Sequence, residues 1–173
     1  PPMPATKSSI PQTVSHVDAN PFLAASPLPF GAPDFSRIRH EHFLPAFEAG
    51  MKEQAIEASG LASSSENPTF VNTIEALERT GTTLTRVSDV FFNLTSAHTN
   101  PEIQKLQAEL APRLAAHADA ILLNPALFER IDSLFRQRES LDLSPEQTQL
   151  LKKTHERFVR AGAQLGPEQQ TRG

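Results

Sequence analysis

The stretch Asn100–Ile131, NPEIQKLQAELAPRLAAHADAILLNPALFERI, decides the fold class. It opens with asparagine followed by proline. Asparagine is a strong helix N-cap, and proline suits the first helical position, where an N–H would have no intrahelical partner. Behind this start, Ile103, Leu106, Leu110, Leu114, His117 and Ile121 recur at three- and four-residue intervals, which places them on one side of a helix. Pro112 falls inside the run and predicts a local kink. Asn124-Pro125 repeats the start signal, and Leu127, Phe128, Ile131, Leu134 and Phe135 follow it.

The same grammar extends in both directions. Downstream, Ser144-Pro145-Glu146-Gln147 is a third start, with Gln147 completing a capping box and Leu151, Thr154, Phe158, Ala161 and Leu165 forming the stripe. Gly166-Pro167-Glu168 reads as a stop and a fresh start. Upstream, Thr82 to Ala97 carries Leu84, Val87, Phe91 and Leu94 at helical spacing. NPTFVNTIEALERTG (67–81) reads as a shorter helix with Gly81 as its C-cap. A first helix is predicted from Leu44 to Ser59, with Pro45 in its first turn. No segment alternates β-branched residues with period two, so no sheet is expected. The fold class is therefore all-α, about six helices in an irregular bundle.

Ahead of the helices lie two segments of different character. Residues 1–20 are rich in Pro, Ser and Thr and read as a flexible arm, because they hold too little apolar surface to offset the entropy of ordering. Residues 21–43 carry Pro21, Pro27, Pro29 and Pro33 together with Phe22, Leu23, Leu28, Phe30 and Phe35. Prolines at that density forbid a helix, so this is an extended strap across the helices. Residues 44–173 form the helical lobe, expected to be truncated at its C-terminus. A length of 173 residues suits one such domain.

Composition narrows the function classes. The net charge of −4 gives no basic footprint for nucleic acid. The absence of cysteine removes disulfides, thiolate metal sites and cysteine nucleophiles. No apolar run approaches the roughly 20 residues that span a bilayer. The arm resembles a tether behind a removed targeting segment, which points to the periplasm, with the cytoplasm as the alternative.

The candidates for chemistry are histidines. RHEHFLPAF (39–47) sets His40 and His42 around Glu41, a pattern that invites a metal. On a helix, two residues subtend about 200°, so the rings point to opposite faces. The polar front of the first helix is the favoured reading. His155-Glu156 begins a H-E-x-x-H pattern, but the fifth position is Val159, so a ligand is missing. An exposed polar pair is expected there. His117 reads as a satisfied, partly buried core histidine, and His98 as a favourable helix C-terminal residue. Asn93-Leu94-Thr95 matches a glycosylation sequon inside an apolar helix and is discounted. Neither a G-x-S-x-G elbow nor a phosphate-binding glycine loop occurs. No catalytic and no metal-binding residue is assigned.

Two segments carry a resemblance that these residues alone do not. NPTFVNTIEALERTG and VFFNLTSAHTNPEIQKLQAELAPRLAAHADAILLNPALFERI resemble the N-terminal region of the zinc metallopeptidases that include thimet oligopeptidase and oligopeptidase A, and most of all the peptidyl-dipeptidase subgroup. NPFLAASPLPFGAPDFSRIRHEHFLPAFEAGM and RFVRAGAQL fit the same pattern, so the likeness is collinear from about Asn20 to Leu165. It implies a mostly helical protein of two lobes around a narrow channel that admits short peptides. It implies zinc held by a H-E-x-x-H helix and a further glutamate, all in the C-terminal part, and release of C-terminal dipeptides. None of those residues maps onto this chain. The chain then reads as an N-terminal lobe forming one channel wall, inactive alone, with zinc only in the whole protein and with its substrate-binding residues unassigned. Its expected partners are the C-terminal catalytic lobe and, in the whole protein, short peptides. Self-association of the isolated lobe is expected through the face that lobe would cover. The alternative is a stand-alone helical module that binds peptides or proteins without hydrolysis.

Overall fold

The three starts at Asn100-Pro101, Asn124-Pro125 and Ser144-Pro145 are built from the hydrogen bonds their sequence promises. The computed structural model describes residues 20–24, 26, 28–29, 33–97 and 100–164. The expected arm (1–20, apart from Asn20), Phe30, His98, Leu165 and the Gly166-Pro167-Glu168 start lie outside the described residues. Asn100 Oδ1 accepts the Ile103 N–H at 2.9 Å and opens α4 (Pro101–Leu122). Asn124 Oδ1 accepts the Leu127 N–H at 3.0 Å and opens α5 (Pro125–Arg136). Ser144 and Gln147 exchange both bonds of a capping box and open α6 (Pro145–Arg160). α4 continues through Pro112. Among the described residues there is no strand.

Two boundaries and one element differ from expectation. The first helix, α1, spans His40–Ala62, beginning four residues before Leu44 and ending three after Ser59. His42 Nδ1 accepts the Arg39 N–H at 3.1 Å, so a histidine takes the place usually given to Glu or Gln in a capping box. The strap therefore ends at Arg39, not at residue 43, and Pro45 sits in the second turn. The segment after α1 is not a uniform α-helix. Phe70–Glu75 is a π-helical turn that runs into α2 (Ala76–Glu78). Phe70, Thr73, Ile74 and Leu77 are buried at α-like spacing, so apolar periodicity could not reveal the wider hydrogen-bond register. In the strap, Phe22 is the buried apolar anchor among the described residues. Leu23, Leu28 and Phe35 are exposed. Asn20 Nδ2 donates to the His42 carbonyl at 2.8 Å and Arg86 Nη1 to the Phe22 carbonyl at 3.2 Å, which fixes the strap beside that ring.

α3 (Thr82–Ala97) has its expected bounds and packs on α1. The approach is close because Gly50 faces it: a Cβ there would lie 2.8 Å from the Leu84 backbone nitrogen. Gly81, at φ +73°, turns the chain between α2 and α3, and its N–H donates to Glu57 Oε2 at 2.8 Å. α1 and α4 run in the same direction, since His40 meets Glu102, Glu48 meets Arg113 and Gln54 meets His117 in order along both.

Two apolar clusters result. The first joins the strap, the front of α1, α3 and the front of α4 through Phe22, Phe43, Phe47, Phe91 and neighbouring aliphatics. The second joins the rear of α1, the π-helical turn, α5 and α6 through Phe70, Ile74, Leu127, Ile131, Leu151 and Phe158. α1 and α4 span both.

Candidate functional site

The entrance of α1 does not gather a metal site. His42 is buried with its Nδ1 spent on the helix cap, while His40 is exposed and places its Nδ1 3.1 Å from Glu102 Oε2 on α4. The two rings serve different partners: His40 stands at the polar front of the helix, whereas His42 is buried. Among the described residues, no group of three His, Asp or Glu side chains could hold a metal ion.

His155 overturns the expectation of an exposed pair. It is buried, and its Nε2 lies 3.0 Å from Asp132 Oδ1 on α5. Its imidazole stacks on Phe135 with centroids 3.9 Å apart and planes 4° from parallel. The Arg138 guanidinium lies 4.4 Å from the same ring centroid; the imidazole already occupies one face, so the two sandwich the phenyl ring. Asp132 also pairs with Arg136 at 2.6 Å. The sequence signal for burial is spacing: His155 stands four residues after Leu151 and three before Phe158, on the buried side of α6. The arrangement ties α5 to α6, with no hydroxyl or thiol in the bonded set to act as a nucleophile.

Arg130 is a structural centre that no sequence pattern announces. It lies buried on α5, donating from Nη1 to the carbonyls of Ser64 (3.1 Å) and Glu66 (2.8 Å) and from Nη2 to Asn72 Oδ1 (3.2 Å). Its Nε has no hydrogen-bond partner among the described residues. Asn72 also completes the cap of the π-helical turn by accepting the Thr69 N–H at 2.8 Å. One guanidinium thus holds the loop after α1 and the start of the next element together.

The junction of the two clusters carries a directed polar relay. The Thr80 hydroxyl donates to the Leu77 carbonyl at 2.7 Å, and its oxygen accepts from Gln54 Nε2 at 3.3 Å. Gln54 Oε1 therefore faces His117, and His117 Nε2 must donate to it across 2.7 Å. That fixes the tautomer and leaves His117 Nδ1 as an acceptor. Burial holds this imidazole below its ordinary pKa. His117 is thus the satisfied, part-buried histidine that the stripe on α4 implied. The relay borders a crevice of about 400 Å³, floored by Leu77, Leu84, Leu114 and Ile121 and edged by Glu78 and Arg157. It has the elements of a binding site, an apolar floor with few placed polar groups. The Thr80 proton is committed to a carbonyl, so the relay offers no activated nucleophile.

A wider depression of about 780 Å³ is lined by Pro33 and Phe35 of the strap and by Arg86 and Asp89 of α3. Asn93 of the sequon opens onto its edge and is exposed, within the helix as expected. No described helix is long and apolar enough to cross a membrane.

No family model matches the chain. It is 47% identical over 146 residues to the dipeptidyl carboxypeptidase of Escherichia coli strain K12, an alignment covering 84% of this chain and 21% of that protein. It is 44% identical over 156 residues to the dipeptidyl carboxypeptidase of Salmonella typhimurium strain LT2, covering 90% of this chain and 23% of the relative. The chain thus spans about a fifth of the length of the curated relatives it matches. This similarity supports the peptidyl-dipeptidase resemblance read from the sequence.

Proposed function

We propose that this chain is the amino-terminal helical lobe of a peptidyl-dipeptidase of the zinc metallopeptidase type, a lobe that lines the substrate channel and contributes no catalytic group. The observation that carries the reading is the collinear similarity to two dipeptidyl carboxypeptidases across most of the chain, at 44–47% identity. Zinc and the water it activates would belong to a catalytic portion outside these 173 residues. The role left to this lobe is steric: a helical wall that limits substrates to short, unstructured peptides.

The test uses the isolated chain. Zinc analysis and an assay for dipeptide release from blocked tripeptides should both read blank. Adding a relative's dipeptidyl carboxypeptidase from which the aligned residues have been deleted should restore release. Stoichiometric zinc, or release by the chain alone, would falsify the silent-lobe reading. Failure of the mixture to gain activity over the deleted enzyme would count against the wall role. Alone, the lobe exposes Leu23, Phe35, Ile56 and Phe92, and sedimentation should show association that grows with concentration. A monomer at all concentrations would sink that expectation.

A further inference from the structure

We propose that the crevice at the junction of the two clusters is a binding site for a zwitterionic dipeptide with apolar side chains. The inference rests on the crevice alone and survives failure of the peptidase reading. Its floor, Leu77, Leu84, Leu114 and Ile121, draws from both clusters and asks for apolar matter. Its edge carries one carboxylate, Glu78 on α2, and one guanidinium, Arg157 on α6. Among the described residues the two do not form an ion pair with each other, although they border the same opening. A ligand with an ammonium group at one end and a carboxylate at the other satisfies both and seats its side chains between them. A simple anion would meet Glu78 with the wrong sign, and a simple cation would meet Arg157 likewise.

Two further observations fix the size and the polarity. A volume of about 400 Å³ lies in the range of about 300–1,000 Å³ common for small-ligand sites, enough for a dipeptide. The relay lines the crevice with Gln54, Thr80 and His117, which sets polar groups beside the apolar floor. A ligand held there touches α2, α3, α4 and α6 at once. It would therefore stiffen the junction where the two clusters meet.

The probe is leucyl-leucine, with N-acetyl-leucyl-leucine and leucyl-leucine amide as controls, titrated into the isotopically labelled 173-residue chain and followed by NMR. Saturable shifts should appear at residues around the crevice. Both charged groups lie at the crevice edge, where solvent screens them, so each end block should weaken binding only about two- to fivefold. Glu78→Gln should erase the difference between free and acetylated peptide, and Arg157→Gln the difference between free and amidated peptide. Neither side chain belongs to an apolar cluster, so the fold should survive both changes. Ala118→Leu, which fills the crevice from α4, should abolish the shifts. The proposal is overturned by the absence of saturable shifts up to on the order of 10 mM. It is equally overturned by equal affinity for free and blocked peptides, or by binding that Ala118→Leu leaves unchanged.

Discussion

The two apolar clusters are held together in different ways. In the first, phenylalanine rings interlock: Phe43 meets Phe91 at 5.2 Å and 64°, and Phe47 meets Phe91 at 5.5 Å and 88°. Its buried polar group is His42, which serves a helix cap. In the second, mixed aliphatic and phenylalanine packing is threaded by Thr73, Arg130, Thr154 and His155, all buried. Ring packing is nearly non-directional beyond its edge-to-face preference. The bonds of Arg130 and His155 are directional and specify which loop meets which helix. A chain without tryptophan or tyrosine can fill a core with phenylalanine. That core alone would leave the connections around α5 and α6 underdetermined.

The contrast is broken most forcefully at Phe91, which is 1% exposed and touches both neighbouring rings. Phe91→Ala should cost about 3–5 kcal/mol in urea unfolding. Phe91→Leu should cost clearly less, because volume matters more than direction there. Equal losses for the two variants would show that the edge-to-face geometry itself carries the first cluster.

Arg130 is the matching experiment in the second cluster. Arg130→Met keeps most of the packing and removes the fork, leaving the Ser64, Glu66 and Asn72 acceptors without their donor. A loss of roughly 2–4 kcal/mol is expected, reduced where water reaches Glu66. Arg130→Lys should recover little, since an ammonium cannot reproduce a planar fork. Recovery by lysine would mean that charge, not direction, is what the second cluster needs.

A smaller and opposite pair of effects separates contact from propensity. Gly50→Ala drives a methyl against the Leu84 backbone at 2.8 Å and should destabilise by about 1–3 kcal/mol despite alanine's better helix propensity. Gly60 lies in the same helix, and a Cβ there would meet nothing within 4 Å. Gly60→Ala should stabilise by about 0.5–1 kcal/mol. Thermal unfolding of both variants checks the sign; destabilisation by both would mean that α1 is held elsewhere.

Much of this is legible in the sequence, and the reason is local chemistry. Asn100, Asn124 and Ser144 announce their helices through bonds that span three residues, so a short stretch of sequence contains both partners. Gly81 is read from its place between two apolar runs as a C-cap, whereas the cap falls at Arg79 and Gly81 makes the turn two residues later. What stays hidden depends on residues far apart in the chain. Arg130 finds its acceptors 57 to 66 positions away, and His155 finds Asp132 23 positions away. Periodicity places His155 near the buried stripe, but a histidine followed by glutamate reads as polar surface. The crevice is invisible for the same reason, since its edges come from α2 and α6.

The finest probe of the comparison is pH, because His117 sits where the clusters meet. Burial lowers its pKa in the folded chain below the ordinary 6.5. Between the folded and unfolded values, the unfolded chain binds more protons, so stability rises with pH in that window. The contribution is full above pH 6.5 and is lost as pH falls through the lower, folded value. His117→Gln keeps a donor toward Gln54 and cannot take up a proton. The variant should therefore show a flatter dependence of Tm on pH below 6.5 than the parent chain, with little change above it. Parallel curves would show that the imidazole is not desolvated at the junction. A difference that appears in the unfolding of one cluster before the other would show that the two halves part at this seam, and that the relay couples them.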